Sequence, residues 1–233
     1  MPISHKHKVL FIHIPKCAGT TVEQILDMSS ISNFFSTSFP EEIILKYLSF
    51  DNFSEDEKRI CLSKNMQHYT YQELVKLLPQ TVFNDYYKFS IVRNPYSRIV
   101  SEFLYRIERT KRNRKGYFYN FSTFKEFIFS ELGAGITKEQ RIEKYDAHLE
   151  TQKSFLINAQ GDISGLDKIY KMEINLNECL DLLKLKTDLN LNVHARKGVY
   201  DRTIAEFYDA DTKEIVYNFY KEDFELFNYS SNL

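Results

Sequence analysis

Lys16, Gly19, Thr20 and Thr21 fall within one short stretch and have the make-up of an anion site. A lysine brings a mobile positive charge, and two threonines bring hydroxyl donors. Gly19, the first glycine in the chain, lets the main chain come close to an oxyanion. The flanking sequence supplies the elements that would hold them. Val9–Ile14 is a β-rich apolar run that reads as a buried strand, and Pro15 stops it. Lys16, Cys17, Ala18 and Gly19 make a tight connection. Thr20–Leu26 reads as a helix, with Val22, Ile25 and Leu26 on one face. The free amides and the dipole of that helix's N-terminus favour negative charge. The order is not the nucleoside-triphosphate loop G-x-x-x-x-G-K-[ST], because here the lysine precedes the glycine and two threonines follow it.

A second strand-to-helix corner lies at Lys88–Tyr105, KFSIVRNPYSRIVSEFLY. Phe89–Val92 forms a short strand, Asn94-Pro95 is a turn signal, and a helix follows from about Ser97. Arg93 stands at the strand end and Ser101 on the helix. An arginine fork suits a phosphate monoester, and a hydroxyl completes the cradle.

Other polar residues fall between and after these corners. Thr70–Glu73 (TYQE) is a capping box, and His68 lies two residues before it, in a connection of the kind that carries reactive side chains. His148 and Gln152 are four apart, which places both on one side of a helix. Arg196-Lys197-Gly198 is a short basic turn. Arg106–Lys115 is the one dense basic run, either a solvated helix end or a rim that attracts an anionic partner. Pro40–Phe50 reads as a short helix, Arg59–Ser63 and Ile169–Glu173 as strands, and Ile174–Leu185 as an amphipathic helix.

Composition bounds the rest. The 233 residues suit a single α/β domain over 1–233, and the net charge of −1 gives no global pull toward nucleic acid or membrane. Three cysteines without C-x-x-C spacing argue against a disulfide framework or a zinc site and fit a reducing compartment. No apolar run reaches membrane-spanning length.

With these residues placed, the chain resembles the PAPS-dependent sulfotransferases of the carbohydrate type. Pro-Lys-x-x-Gly-Thr-Thr over Pro15–Thr21 resembles their 5′-phosphosulfate loop, and Arg93 with Pro95, Arg98 and Ser101 resembles their 3′-phosphate motif. The resemblance is strong over Val9–Leu26 and Lys88–Tyr105, and moderate around His68, at Asp146–Leu156 and in the C-terminal segment. It implies an α/β fold: a P-loop-like three-layer domain with a central parallel sheet flanked by helices. It implies sulfuryl transfer from 3′-phosphoadenosine 5′-phosphosulfate to a hydroxyl, with adenosine 3′,5′-bisphosphate as product and no metal. The implied nucleotide contacts are Lys16, Cys17, Ala18, Gly19, Thr20 and Thr21 at the 5′ end, Arg93 and Ser101 at the 3′-phosphate, and Arg196, Lys197 and Gly198 in a covering loop. The implied catalytic residues are Lys16 and, as base, His68; His148 and Gln152 would lie near the acceptor, a saccharide or glycolipid hydroxyl. A cytoplasmic enzyme is expected, with a soluble domain trimmed from a membrane-anchored enzyme as the alternative. Two rival readings stay open: a P-loop small-molecule kinase, and a non-catalytic nucleotide- or glycan-binding module.

Overall fold

The computed structural model describes residues 3–4, 6–26, 54–56, 68–111, 119–133, 147–187 and 203–233. The expected helix at Pro40–Phe50, the strand at Arg59–Ser63, the end of the basic run beyond Lys111, and Arg196-Lys197-Gly198 lie outside these residues. The chain divides into two compact units, residues 1–92 with 152–196, and residues 93–151 with 197–233.

The first unit is built on a four-stranded sheet. Its strands are β1 (Ile3–Ser4), β2 (Val9–Ile12), β3 (Tyr87–Val92) and β4 (Lys168–Lys171), in that spatial order. β1 runs antiparallel to β2, whereas β2, β3 and β4 are parallel, with Ile12 opposite Ser90 and Ser90 opposite Ile169. All four residues of β2 are buried, as a parallel strand covered on both faces requires. Phe11 and Phe89, register partners, stack at 5.0 Å between ring centroids. The strand expected to run to Ile14 ends at Ile12. There the Ser90 hydroxyl, fully buried, donates to the Ile12 carbonyl at 2.7 Å and fixes the end of β2 to its neighbour.

Helix α1 (Gly19–Ile25) follows β2, and α2 (Tyr71–Leu77) and α3 (Gln80–Asp85) precede β3. Thr70 caps α2 through the expected box. Its hydroxyl accepts from the Glu73 amide at 3.3 Å, and the Glu73 carboxylate accepts from the Thr70 amide at 2.8 Å. The remaining helix that precedes β4 in this unit is Gln152–Leu156, named α6 below; α7 (Leu176–Thr187) follows β4 and packs against α1.

The second unit is helical. It contains α4 (Pro95–Lys111), α5 (Phe124–Leu132), a single 3₁₀ turn (Ile204–Phe207), α8 (Ala210–Phe219) and α9 (Lys221–Leu226). α4 begins two residues earlier than the turn signal indicated. The Asn94 side chain accepts from the Tyr96 amide at 2.9 Å, which makes Asn94 the cap and puts Pro95 at the first helical position. One aromatic-rich core joins the helices, with Tyr96, Ile99, Val100 and Phe103 of α4 against Phe124, Phe127 and Ile128 of α5 and Val216, Tyr220 and Phe224 of the C-terminal helices. Arg106, the start of the basic run, belongs to this core and not to a solvated end or rim. It is 2% exposed, it pairs with Glu102 and Glu131, and it lies over the rings of Tyr119 and Phe127.

Candidate active site

The loop after β2 takes its shape from two residues that are not glycine. Lys16 has φ 67° and Ala18 has φ 62°, both in the left-handed region. Such residues each cost on the order of 1–3 kcal/mol and gather at functional sites, where a rigid frame over-determines them. Left-handed residues alternating in a tight turn point successive amides to one side, the arrangement of an anion-binding nest. The loop closes on itself where the Cys17 amide donates to the Ile14 carbonyl at 3.3 Å. Ala18 then starts α1, with its carbonyl accepting from the amides of Thr21 and Val22 at 3.0 and 3.2 Å. The amides of Gly19 and Thr20 have no acceptor inside the helix, as at every helix start. Lys16 is half-buried, Thr20 is exposed and Thr21 is buried.

Gly19 does not have a positive φ, so its conformation does not demand glycine. Space does: a Cβ there would run into the imidazole of His13. His13, the first residue beyond β2, is buried, stacks on Phe11 at 5.4 Å and meets the ring of His68 edge-on at 4.9 Å. Its Nδ1 stands 3.1 Å from Glu23 Oε1 of α1, with both side chains 7% exposed. The two atoms are close but off the direction a hydrogen bond needs.

His68 comes to this corner from the sheet's other side of the sequence. It is buried, and its Nδ1 is 3.3 Å from the His13 carbonyl oxygen. A carbonyl only accepts, so in this contact Nδ1 carries a proton. The capping box of α2, two residues on, fixes the direction from which His68 arrives.

Cys17 turns its side chain inward. Its thiol donates toward the Pro15 carbonyl at 3.6 Å and toward Gln152 Oε1 at 3.5 Å. Gln152 is fully buried at the start of α6 (Gln152–Leu156). The helix expected to carry both His148 and Gln152 is absent, because His148 lies in a turn before α6 and in the other unit.

In the second unit Arg93 directly follows β3, and Ser101 lies on α4, both half-buried. Arg98, between them, is fully buried. Its guanidinium donates to the carbonyls of His148 at 3.0 Å and Glu150 at 2.8 Å, while the Tyr220 hydroxyl donates to the intervening Leu149 carbonyl at 2.7 Å. Three consecutive carbonyls are thus held by buried donors. One turn further along α4, Glu102 bonds both Arg106 Nε at 2.8 Å and His148 Nδ1 at 2.7 Å. The sequence carried a sign of this in the i, i+4 series Arg98, Glu102, Arg106, which sets all three on one face of a helix. Nothing in the sequence marked His13 and Glu23 as partners, since strand end and helix meet only through the fold.

Among the described residues no group of three or more His, Cys, Asp or Glu is placed to hold a metal ion, and no helix is long and apolar enough to cross a membrane. The model of the Sulfotransferase family matches residues 1–230, which run through both units. No curated protein and no solved structure matches the chain.

Proposed function

This chain belongs to the sulfotransferase family, and from that premise we propose that it transfers the sulfuryl group of 3′-phosphoadenosine 5′-phosphosulfate to a hydroxyl of a saccharide or glycolipid. The observation that supports the reading is the contact of His68 Nδ1 with the His13 carbonyl, which holds this histidine at the root of the loop. We read the two units together as one catalytic domain of the P-loop-like, three-layer kind.

Transfer is an in-line displacement at sulfur. The acceptor oxygen bonds to sulfur as the bond from sulfur to the 5′-phosphate oxygen breaks, and the acceptor's proton passes to His68 Nε2. The phosphate that leaves takes up the negative charge. Lys16 meets that charge at the bridging oxygen, and the loop from Cys17 to Gly19 with the hydroxyls of Thr20 and Thr21 holds the phosphate from the start. The strain at Lys16 and Ala18 supports this, because it keeps the donors set before the nucleotide arrives. Arg93 and Ser101 take the 3′-phosphate, and Arg196, Lys197 and Gly198 cover it. His148 contacts the acceptor. Gln152, buried against Cys17, supports the loop from behind. No step requires a metal. Free, buried thiols at Cys17 and Cys179 suit a reducing compartment, and we read the enzyme as cytoplasmic.

A thermal-shift titration tests the nucleotide site. At about one hundred times its dissociation constant, adenosine 3′,5′-bisphosphate stabilises the chain by roughly 2.7 kcal/mol, a rise in Tm of about 5–10 °C at this size. ADP gives less, and Arg93→Ala narrows the gap between the two. A shift with ATP and magnesium in place of the bisphosphate would turn the assignment to phosphoryl transfer. No shift with any nucleotide would turn it to a non-catalytic module.

A further inference from the structure

A file of rings runs along one face of the sheet and ends at His68, all of it within the first unit. Tyr87 and Phe89, alternate residues of β3, stack at 5.8 Å between centroids. Phe89 stacks on its register partner Phe11, and Phe11 stacks on His13 at 5.4 Å with planes 21° apart. His13 then meets His68 edge-on at 4.9 Å, with planes 64° apart. Phe89, Phe11, His13 and His68 are all buried. If packing were its sole task, His13 would be a poor residue for this place. Its Nδ1 is buried and makes no hydrogen bond, although Glu23 Oε1 stands 3.1 Å away. An aliphatic side chain would avoid that orphaned nitrogen, but it has no flat ring to set against another. A phenyl ring would press further on Gly19, against which the imidazole already lies.

Resting on the sulfotransferase reading above, we propose that the side chain of His13 is a positioning residue that holds the ring plane of the base His68 and, by lying against Gly19 as well, sets the distance of that base from the phosphosulfate loop. The His13 carbonyl, 3.3 Å from His68 Nδ1, fixes where one atom of the base lies. The ring edge of His13 fixes the plane of the rest. In-line transfer needs both settings, because the base must meet the attacking oxygen while the loop holds the phosphate that leaves on the far side of sulfur. Phe89 and Phe11 lend the rigidity of the sheet to this arrangement, so the base is aligned before the substrates arrive.

The substitution His13→Gln isolates this role. Its planar amide reaches toward the place of Nε2 and keeps bulk against Gly19, but it sets no ring edge against His68. The probe is PAPS with water as acceptor, so no saccharide need be identified. The water oxygen bonds to sulfur, the bond from sulfur to the 5′-phosphate oxygen breaks, and a proton of the water passes to His68; sulfate and adenosine 3′,5′-bisphosphate are released. Sulfate release falls roughly tenfold or more in His13→Gln, while affinity for the bisphosphate stays within about threefold of the wild type. In the His68→Ala background the same substitution changes the rate by less than about twofold, because His13 acts through the base. Carbon-13 relaxation of the full chain with labelled histidines and bisphosphate bound reads the base directly: the His68 ring is rigid in the wild type and mobile in His13→Gln. Phe11→Leu takes away the ring on which His13 stacks, and it lowers sulfate release roughly threefold or more with the same dependence on His68. It decides the question if His13→Gln does not fold. An equal loss with and without His68 overturns the positioning role and assigns His13 to the loop alone. A His68 ring as rigid in His13→Gln as in the wild type overturns it too. Failure of the underlying reading shows itself before any variant is made, as a wild type that neither binds the bisphosphate nor releases sulfate from PAPS, and it takes the proposal with it.

Discussion

The imidazole of His13 fills the space that a Cβ on Gly19 would need, with Nε2 as the nearest atom. The glycine of the loop is therefore matched to a side chain of its own protein. Its neighbour Ala18, not Gly19, takes the left-handed conformation. Through His13 the loop is joined to Glu23 on one side and to His68 on the other.

Gly19→Ala should accordingly cost stability. Overpacking of this kind typically costs about 1–3 kcal/mol, or a fall in Tm of roughly 3–10 °C for a chain of this size. The test is a double-mutant cycle with His13→Ala. In the His13→Ala background the added methyl has room, and at least half of its cost should disappear. A cost that stays the same in both backgrounds would show that Gly19 is needed for something other than His13.

His68→Ala should lower turnover by roughly 10²–10⁴, the usual size of general-base catalysis, and leave affinity for adenosine 3′,5′-bisphosphate within twofold. Pre-steady-state sulfate transfer with each variant separates the two effects. Near-normal turnover would remove His68 from the mechanism. Equal losses of turnover and nucleotide affinity would make it a support for His13, on whose carbonyl it rests.

Local signals in the sequence were legible where the structure is local. The β2–loop–α1 corner, the strand at Phe89–Val92 and the box at Thr70–Glu73 depend on residues within a few positions of one another, and each is present. The same locality misled at Asn94-Pro95. A turn signal and a helix start use the same residues, and only the bond from the Tyr96 amide to Asn94 separates them. Burial of charge was not legible. Arg106 sits in a run of basic residues that reads as solvated, and only the packing of Glu102, Glu131, Tyr119 and Phe127 around it makes it a core residue. The spacing of His148 and Gln152 misled for a related reason. Arg98 and Tyr220 hold the carbonyls of residues 148–150, which a helix through them would have used for itself.

Gln152→Leu tests whether Gln152 serves the loop, as its contact with Cys17 suggests, or the acceptor. The amide oxygen of Gln152 accepts from the buried Cys17 thiol, which also points toward the Pro15 carbonyl, so its loss removes one buried hydrogen bond, worth about 1 kcal/mol or less for so weak a donor. Because Cys17 lies within the loop, affinity for adenosine 3′,5′-bisphosphate should fall severalfold, with the KM for acceptor unchanged. Calorimetric titration and acceptor kinetics give both numbers. The reverse result, with acceptor KM raised and nucleotide affinity kept, would return Gln152 to the acceptor site.

Alkali should weaken the fold through Cys179. This residue is fully buried on α7, the helix that packs on α1, and burial, followed by the charge of Glu178, pushes its thiol up to about 12 from an ordinary 9.0. Above pH 9 the unfolded chain releases this proton and the folded chain keeps it. The folded state then binds more protons, and stability falls as pH rises. The slope for one group is about 1.4 kcal/mol per pH unit, so pH 10.5 should cost roughly 2 kcal/mol relative to pH 8. Burial also raises Tyr208 well above its ordinary range, and this adds to the slope above pH 10. Urea unfolding at pH 8, 9.5 and 10.5 measures the effect. Cys179→Ala, although less stable at pH 8, should lose less between pH 8 and 9.5, because the tyrosines titrate alike in both proteins and only the thiol differs. An equal loss in both proteins across that window would assign the alkaline sensitivity to other groups.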